Sequence, residues 1–260
     1  MAFYNPGMSD PIEPALRYAR QTVLPEIGAA GQARLAGSSV LIIGLGGLGC
    51  AAAQYLASSG IGNLELNDFD TVDGSNLSRQ MLYRDADVGR RKVEVAAEAL
   101  KEINPSVTVR RLPERLQGAG LRAAVAGVDL VLDGTDNFGT RFAVNRACVA
   151  EGVPLVSGAA IRWDGQIFVV DTDHEGTPCY ACLYAEQDET LEDCAGNGVV
   201  SALVGVIGAR MALEAMKVLL DLHRPSLGRL QVFDGLGGAW REHAVPADPG
   251  CPVCSQEAEA

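Results

Sequence analysis

Three glycines, Gly44, Gly46 and Gly49, stand between an apolar run at Leu41–Ile43 and an alanine-rich segment. Their G-x-G-x-x-G spacing predicts a tight strand-to-helix turn whose backbone can approach a phosphate. The helix that starts there, with Gly47 in its first turn, directs unpaired N–H groups and the positive end of its dipole at an anion. We therefore expect the chain to bind a nucleotide at this turn.

Charged residues follow the glycine turn. Asp68 ends the second predicted strand, where a dinucleotide fold places its ribose-binding acid, although a strand-end aspartate can also be only a turn former. Arg79 and Lys92 could be solvated surface charges. A triphosphate bound beyond this turn would need cations, whereas hydride transfer would not. The loop that carries the arginine reads Ser75, Asn76, Leu77, Ser78, Arg79 and Gln80.

A further acidic group, Asp136 with Asn137, follows another predicted strand at the carboxyl edge of the sheet, where open α/β folds bind ligands. Magnesium takes one or two protein carboxylates and completes its coordination with phosphates and water, so Asp136 is a candidate magnesium ligand. Either residue could also cap the helix that follows. Both roles are compatible.

Two C-x-x-C pairs have the spacing of zinc knuckles: Cys179 with Cys182, and Cys251 with Cys254. Four thiolates without histidine predict a closed structural zinc site, with no open position for catalysis. The alternatives are two unrelated thiol pairs or a thioredoxin-like redox motif, and two such redox pairs in one chain would be unusual.

Cys194 lies apart from these pairs, in a glycine-containing segment with acidic neighbours. A single thiol near the ligand edge could be a nucleophile, although nearby acids raise a thiol pKa unless a cation is close. The histidines, His174, His223 and His243, form no ligand-spaced pattern, and we expect no role for them.

The elements that must position these residues alternate along the chain. The strands are expected at 40–43, 64–66, 108–112, 129–132 and 155–157, and the helices at 47–59, 92–103 and 138–150. This alternation predicts an α/β fold with a Rossmann-like, doubly wound, mainly parallel sheet and helices on both faces. The segments 167–171 and 230–233 are predicted to extend the sheet with antiparallel strands near the C-terminus. A long cysteine-rich loop is expected at 172–198, between these two strands.

Composition narrows the class of protein. The chain has 260 residues, 48% of them hydrophobic, and a formal net charge of −12. That charge argues against nucleic acid or an anionic membrane surface as the main partner. Residues 199–220 are apolar but contain three charges, so we expect a core helix and no membrane span. Seven cysteines without a signal peptide predict a reducing, cytoplasmic location.

In combination, these motifs resemble the ubiquitin-activating-type adenylyltransferases of bacteria, the MoeB/ThiF/HesA family. The resemblance covers about 17–254 and rests on motifs in a fixed order. They are Arg17-Tyr18-Ala19-Arg20-Gln21, the glycine turn, Asp68-Phe69-Asp70, Ser75 to Gln80, Val88-Gly89 with Lys92, Thr135-Asp136-Asn137 and both cysteine pairs. The stretches at 154–160 and 205–208 most resemble the MoeB branch.

The resemblance implies ATP- and magnesium-dependent adenylation of the C-terminal glycine of a small ubiquitin-like sulfur-carrier protein ending in Gly-Gly. Among the pathways that use such carriers, molybdopterin synthesis is the one that the resemblance favours. It implies that Asp68 holds the ribose, Arg79 and Lys92 hold the phosphates, and Asp136 holds magnesium. Arg20 would reach the phosphates from the partner subunit of a homodimer. Cys194 falls where some relatives use a cysteine in sulfur transfer, while others adenylate without needing it. The sulfur would come from a separate donor such as a cysteine desulfurase or a rhodanese.

The implied organisation is a flexible N-terminus at 1–10 and one adenylyltransferase domain at 11–260. Within it, 11–160 would bind the nucleotide, and 161–260 would bind the carrier and zinc. One departure from the family pattern is Asn67, where an apolar strand residue is common. The competing interpretations are an NAD-dependent oxidoreductase, which leaves Arg79, Lys92 and Asp136 without a task, and a non-catalytic scaffold.

Overall fold

The strands form one mixed sheet in the computed structural model, which describes residues 14–171, 173–174, 176–185 and 197–255. Its eight strands are β1 (Ser39–Ile43), β2 (Asn63–Asn67), β3 (Thr108–Leu112), β4 (Leu130–Asp133), β5 (Leu155–Ile161), β6 (Asp164–Val170), β7 (Arg229–Asp234) and β8 (Ala239–Ala244). The spatial order is β3-β2-β1-β4-β5-β6-β7-β8. The first five strands in this order pair in parallel, and β6, β7 and β8 extend the sheet in antiparallel pairing. The predicted fold class is confirmed.

The helices of the described residues vary widely in length. They are α1 (Pro14–Arg17), α2 (Ala19–Thr22), α3 (Gly28–Gly37), α4 (Gly47–Ser59), α5 (Lys92–Ile103), α6 (Gly118–Val125), α7 (Phe138–Glu151), α8 (Tyr180–Leu183) and α9 (Ser201–Leu219), with 3₁₀ turns at Gly74–Asn76, Asp85–Asp87 and Arg224–Ser226. In this part of the chain, no helix combines the length and apolarity that crossing a bilayer requires. α9 is instead the core helix expected at 199–220, since ten of its residues are buried.

Two apolar cores cover the two faces of the sheet. One contains the buried sides of α4, α5 and α9. The other contains α6, α7 and the segment around Cys251. The central strands are apolar because both of their faces are covered, as in β4, where all four residues are buried. The sequence-predicted loop at 172–198 contains the short helix α8, which begins directly after Cys179; residues 186–196 lie outside the described part.

Strand order reverses between β1 and β4. The chain runs outward from β1 through β2 to β3, and then returns to place β4 on the other side of β1. At such a switch point the connections leave in opposite directions, and a crevice opens at the carboxyl ends of the two strands. The glycine turn follows β1, and Asp136 follows β4, so the fold brings these two segments to one edge of the sheet.

Candidate functional site

The glycine turn has the close packing that its spacing predicts. Gly44 has a φ of +87°, a conformation that side chains disfavour, and directly follows β1. A Cβ atom on Gly49 would lie 1.9 Å from the carbonyl oxygen of Gly44, so only glycine fits there. Gly46 is the N-cap residue of α4 and has no side chain to occupy the first N–H groups of the helix. Those N–H groups therefore remain available to an anion.

Asp68 is tied to the glycine turn. Its Oδ2 accepts a hydrogen bond from the N–H of Leu45 at 2.8 Å, and its Oδ1 accepts one from the N–H of Asp70 at 2.9 Å. Burial raises the pKa of Asp68 above its usual value, and the ammonium of Lys92 opposes this rise. Asp68 thus fixes the turn as well as lining the cavity beside it.

Lys92 is a buried cation at the start of α5. Its Nζ lies 3.2 Å from Oδ2 of Asp70 and 3.9 Å from Oδ2 of Asp68, and its side chain is only 7% exposed. The two carboxylates hold this buried side chain in a fixed direction. The sequence-based alternative, a solvated surface charge, does not fit this position.

The Ser75–Gln80 loop begins with a capped 3₁₀ turn. Oδ1 of Asp73 accepts hydrogen bonds from the N–H of Ser75 at 2.8 Å and from its hydroxyl at 2.6 Å. Arg79 donates from Nη1 to the carbonyl oxygen of Ser75 at 2.9 Å and is half-buried. The side chain of Leu77 packs against the core.

The segment after β4 is held by a buried aspartate and a buried arginine. Oδ1 of Asp133 accepts from the N–H and the hydroxyl of Thr135, at 3.0 and 2.7 Å. Arg141 donates to the carbonyl oxygen of Thr135 from Nη2 at 2.5 Å and from Nε at 3.2 Å. Burial raises the pKa of Asp133, and the guanidinium of Arg141 counteracts it. The sequence analysis did not identify Arg141, because a single arginine inside a helix carries no motif.

Asp136 and Asn137, the two residues that could each cap the following helix, differ in their contacts. Asn137 caps α7, since its Oδ1 accepts from the N–H of Thr140 at 2.9 Å. Asp136 remains exposed at the mouth of the crevice. Its carboxylate is thus positioned to face a ligand, while its neighbour caps the helix.

A cavity of about 950 Å³ joins these segments. Most of the predicted nucleotide-binding residues line it: Gly44, Gly46, Gly47, Asp68, Ser75, Asn76, Ser78, Arg79, Lys92, Asp136 and Asn137. Gly49 and Leu77 support the site from within the fold. Arg20 lies exposed on α2 and does not line this cavity, and Cys194 lies outside the described residues.

A smaller cavity of about 270 Å³ adjoins the first one, because Asp136 and Arg141 line both. Its walls come from β5, β6 and β7 and include Ile161, Tyr184 and Val232. It is therefore a mainly apolar space that ends beside the Asp136 carboxylate.

The four paired cysteines converge at one place. The Sγ atoms of Cys179 and Cys251 are 3.7 Å apart, those of Cys182 and Cys254 are 3.5 Å apart, and all four lie within 4.8 Å of one another. Tetrahedral zinc with Zn–S bonds of about 2.3 Å separates its sulfur ligands by about 3.8 Å, so this donor set fits zinc. Asn145 supports it, since its Nδ2 donates to Sγ of Cys179 at 3.5 Å. Two unrelated thiol pairs would not meet in this way.

Asn67, the departure from the family pattern, clamps the rim of the nucleotide cavity. Its buried Nδ2 donates to the carbonyl oxygens of Leu112 and Glu114, both at 2.8 Å. The residues directly after Glu114, from Arg115 to Gln117, line the large cavity. An apolar side chain at this position would leave those carbonyls without the amide donor.

We expect Asn67→Leu to lower the free energy of unfolding by about 2 kcal/mol, because the buried carbonyl of Leu112 and the part-buried carbonyl of Glu114 lose a hydrogen-bond donor. Hydrogen exchange at residues 113–117 should rise in the same variant. Urea unfolding and exchange mass spectrometry measure the two effects. Asn63→Leu, at the other end of β2, is the matched control and should change stability by no more than about 0.5 kcal/mol. Equal behaviour of the two variants would contradict the clamp.

Comparison with known proteins places this geometry in context. Residues 18–253 match the ThiF family. The chain is 49% identical to the molybdopterin-synthase adenylyltransferase of Escherichia coli, over 93% of this chain and 96% of that protein. It is 45% identical to the sulfur carrier protein ThiS adenylyltransferase of the same organism, over 92% and 94%.

Solved structures show the same fold. The crystal structure of E. coli MccB with MccA-N7isoASN superposes with a TM-score of 0.81, at 24% identity, over 92% of this chain and 75% of that one. The crystal structure of MccB with ATP superposes with a TM-score of 0.78, at 23% identity, over 92% and 74%. At these identities the likeness concerns the fold alone.

Proposed function

Since the chain belongs to the ThiF family, we propose that it is an enzyme that adenylates the C-terminal glycine of a small ubiquitin-like sulfur-carrier protein with ATP. One observation carries this proposal. A single cavity holds the glycine turn, the cations Lys92 and Arg79, and the carboxylate of Asp136. Relatives 45–49% identical over nearly their whole length are named adenylyltransferases.

The proposed reaction is attack of the carrier's terminal carboxylate on the α-phosphorus of ATP, with loss of pyrophosphate and formation of an acyl-adenylate. The first N–H groups of α4 would bind phosphate oxygens, and Asp68 would bind the ribose. Lys92 and Arg79 would balance the charge that grows on the departing pyrophosphate. Nucleotidyl transfer depends mainly on such positioning and charge neutralisation, so it needs no nucleophilic side chain.

The donor sets fit the two proposed metals. Asp136 offers an exposed carboxylate beside the expected phosphates, and magnesium prefers oxygen ligands of this kind. When bound, magnesium would neutralise phosphate charge. The four cysteines offer a complete tetrahedral set of ligands for structural zinc. Zinc bound there would stabilise the fold and take no part in the reaction.

The smaller cavity supports a route for the carrier. A C-terminal tail lying in it would end beside Asp136 and Arg141, where the large cavity begins. Gly-Gly is the tail sequence that a narrow passage favours, because it has no side chains to accommodate. Residues 161–260 supply much of this passage, in line with the proposed carrier-binding half.

We place Arg20 in the active site of a partner subunit within a homodimer. Leu16 and Val23, each 73% exposed, and Leu24, 47% exposed, lie close to it along α1 and the segment after α2. Such apolar exposure near a functional cation favours an interface between subunits.

We propose that the adenylated carrier serves molybdopterin synthesis. Thiamine synthesis and tRNA thiolation are the alternative pathways to test. Sulfur would come from a separate cysteine desulfurase or rhodanese, in a reducing cytoplasm. Cys194 would take part in this later transfer and is not required for adenylation.

The proposal is tested by carrier-dependent ATP–pyrophosphate exchange. We expect exchange with one or more carriers that end in Gly-Gly, and none with the same carrier lacking its last two residues. Carriers of the molybdopterin and thiamine types are compared side by side to assign the pathway. NAD reduction without any such exchange would favour the oxidoreductase and overturn the proposal.

A further inference from the structure

Three potential metal ligands meet at the edge of the sheet opposite the nucleotide cavity. Asp171 directly follows β6, His174 lies in the loop after it, and His223 follows α9. Oδ2 of Asp171 is 2.6 Å from Nε2 of His223 and 3.2 Å from Nδ1 of His174. One ligand atom from each residue lies within 4.8 Å of the other two. The histidines are far apart in sequence, so their spacing gave no sign of this cluster, and our expectation that they have no role overlooked it.

The cluster is largely removed from water. The side chains of Asp171 and His223 are 7% and 4% exposed, and that of His174 is 23% exposed. Nδ1 of His174 is itself buried and has no hydrogen-bond partner in the described part of the chain, although the Asp171 carboxylate is close. A buried polar atom without a partner costs free energy, and a bound cation would remove that cost.

The carboxylate is already oriented toward the two rings. Oδ1 of Asp171 accepts a hydrogen bond from the N–H of Asp173 at 3.2 Å, which leaves Oδ2 directed at the histidines. Hydrogen bonds of this kind orient metal-ligating carboxylates. The two rings meet edge to face with their centroids 5.4 Å apart, and one nitrogen of each lies 2.6–3.2 Å from Oδ2 of Asp171.

We propose that Asp171, His174 and His223 bind a second metal ion, a divalent transition metal such as Zn²⁺, independently of the four cysteines. Two neutral imidazoles and one carboxylate suit this class of ion, whereas calcium requires many more oxygen ligands. The partly exposed ring of His174 leaves a path for water to reach the fourth coordination position.

Binding requires a small local movement. Ligand atoms around tetrahedral zinc stand about 3.3 Å apart, from bonds of about 2.0–2.1 Å. Asp171 and His223, now at 2.6 Å, must therefore separate by several tenths of an ångström. Binding through Nε2 also leaves Nδ1 of His223 buried without a hydrogen-bond partner among the described residues, a cost that the ion does not remove. A metal-free hydrogen bond between the two residues is the competing state.

The site would fix the segment that leads into the cysteine cluster. The hydroxyl of Thr177 contacts the carbonyl oxygens of Asp171 and His174, at 2.6 and 2.7 Å, two residues before Cys179. An ion here would join the end of β6 to the segment after α9. The two metals would then hold the two ends of one short stretch of chain.

Metal counting on the full, untagged chain tests the proposal. After equilibration with Zn²⁺ and removal of loosely bound ions, we expect elemental mass spectrometry to find two zinc ions per wild-type chain. His174→Ala should hold one, and the pair Cys182→Ser with Cys254→Ser should also hold one. His243→Ala, on the exposed strand β8, is the matched control and should hold two. One zinc ion per wild-type chain would overturn the proposal.

A second measurement does not depend on how well a variant folds. The chain has three histidines, so their imidazole nitrogens can be followed separately by nuclear magnetic resonance in the wild-type protein. Addition of the second zinc equivalent should shift the His174 and His223 signals and leave those of His243 in place. If all three stay unchanged while the cysteines take up their ion, the cluster is a hydrogen-bonded clamp without metal.

Discussion

Replacement of Lys92 by alanine should reduce carrier-dependent ATP–pyrophosphate exchange by at least about 100-fold. Lys92 is a buried cation of the cavity, and its Nζ lies 3.2 Å from Oδ2 of Asp70 and 3.9 Å from Oδ2 of Asp68. Loss of one group that stabilises charge in a transition state costs ~3–4 kcal/mol, which corresponds to about 100- to 1,000-fold in rate. The exchange assay with saturating carrier measures this effect directly.

The matched control is Lys101→Ala. Lys101 lies on the same helix, α5, but is exposed near its C-terminal end. We expect this variant to exchange at close to the wild-type rate. Because Lys92→Ala leaves two carboxylates without their ammonium, thermal unfolding should be recorded beside activity, so that loss of fold is distinguished from loss of chemistry. A folded Lys92→Ala variant with wild-type exchange would contradict the role that we propose for the lysine.

The sequence was sufficient for those parts of the site that depend on backbone geometry. The helix expected at 47–59 agrees with α4 at both ends. G-x-G-x-x-G predicted its start, because the turn requires glycine at Gly44, with a φ of +87°, and at Gly49, where a Cβ atom would meet the carbonyl oxygen of Gly44. The strong apolar and amphipathic patterns likewise predicted α5 and the buried central strands. Residues that follow these strands could then be placed at one edge of the sheet, because the carboxyl ends of parallel strands lie at the same edge.

The remaining features have no local signal. β8 was not predicted because all six of its residues are exposed, so the strand lacks the alternation that reveals a half-buried strand. α6 is only eight residues long and has two glycines, Gly118 and Gly120, in its first turn, which weakens its helical signal. Arg141, the Asn67 clamp and the convergence of His174 with His223 are contacts between distant segments. Such contacts follow from tertiary packing and cannot be read from spacing along the chain.

Loss of the four-cysteine site should loosen the C-terminal part of the molecule while the nucleotide fold stays intact. We expect Cys182→Ser combined with Cys254→Ser to raise hydrogen exchange strongly at 178–185 and 245–255. Structural zinc sites supply ~10–16 kcal/mol of apparent binding free energy at neutral pH, and that free energy also stabilises the segments they join. Here, the metal would connect α8 to the chain after β8, which forms no helix or strand among the described residues. The two substituted residues are the partly exposed members of the set, so the change leaves the buried core thiols in place.

Exchange mass spectrometry and metal analysis together measure this effect. Amides of α4 should remain protected, because the core into which this helix packs contains none of the four cysteines. Ser255→Ala, directly next to a ligand, is the matched control and should retain both the metal and the protection. The substituted cysteines are chosen over a chelator because a chelator would also remove an ion from Asp171, His174 and His223. Unchanged protection at 245–255 in a variant that has lost one metal equivalent would show that packing alone holds this segment, since the interactions that remain would then be sufficient without zinc.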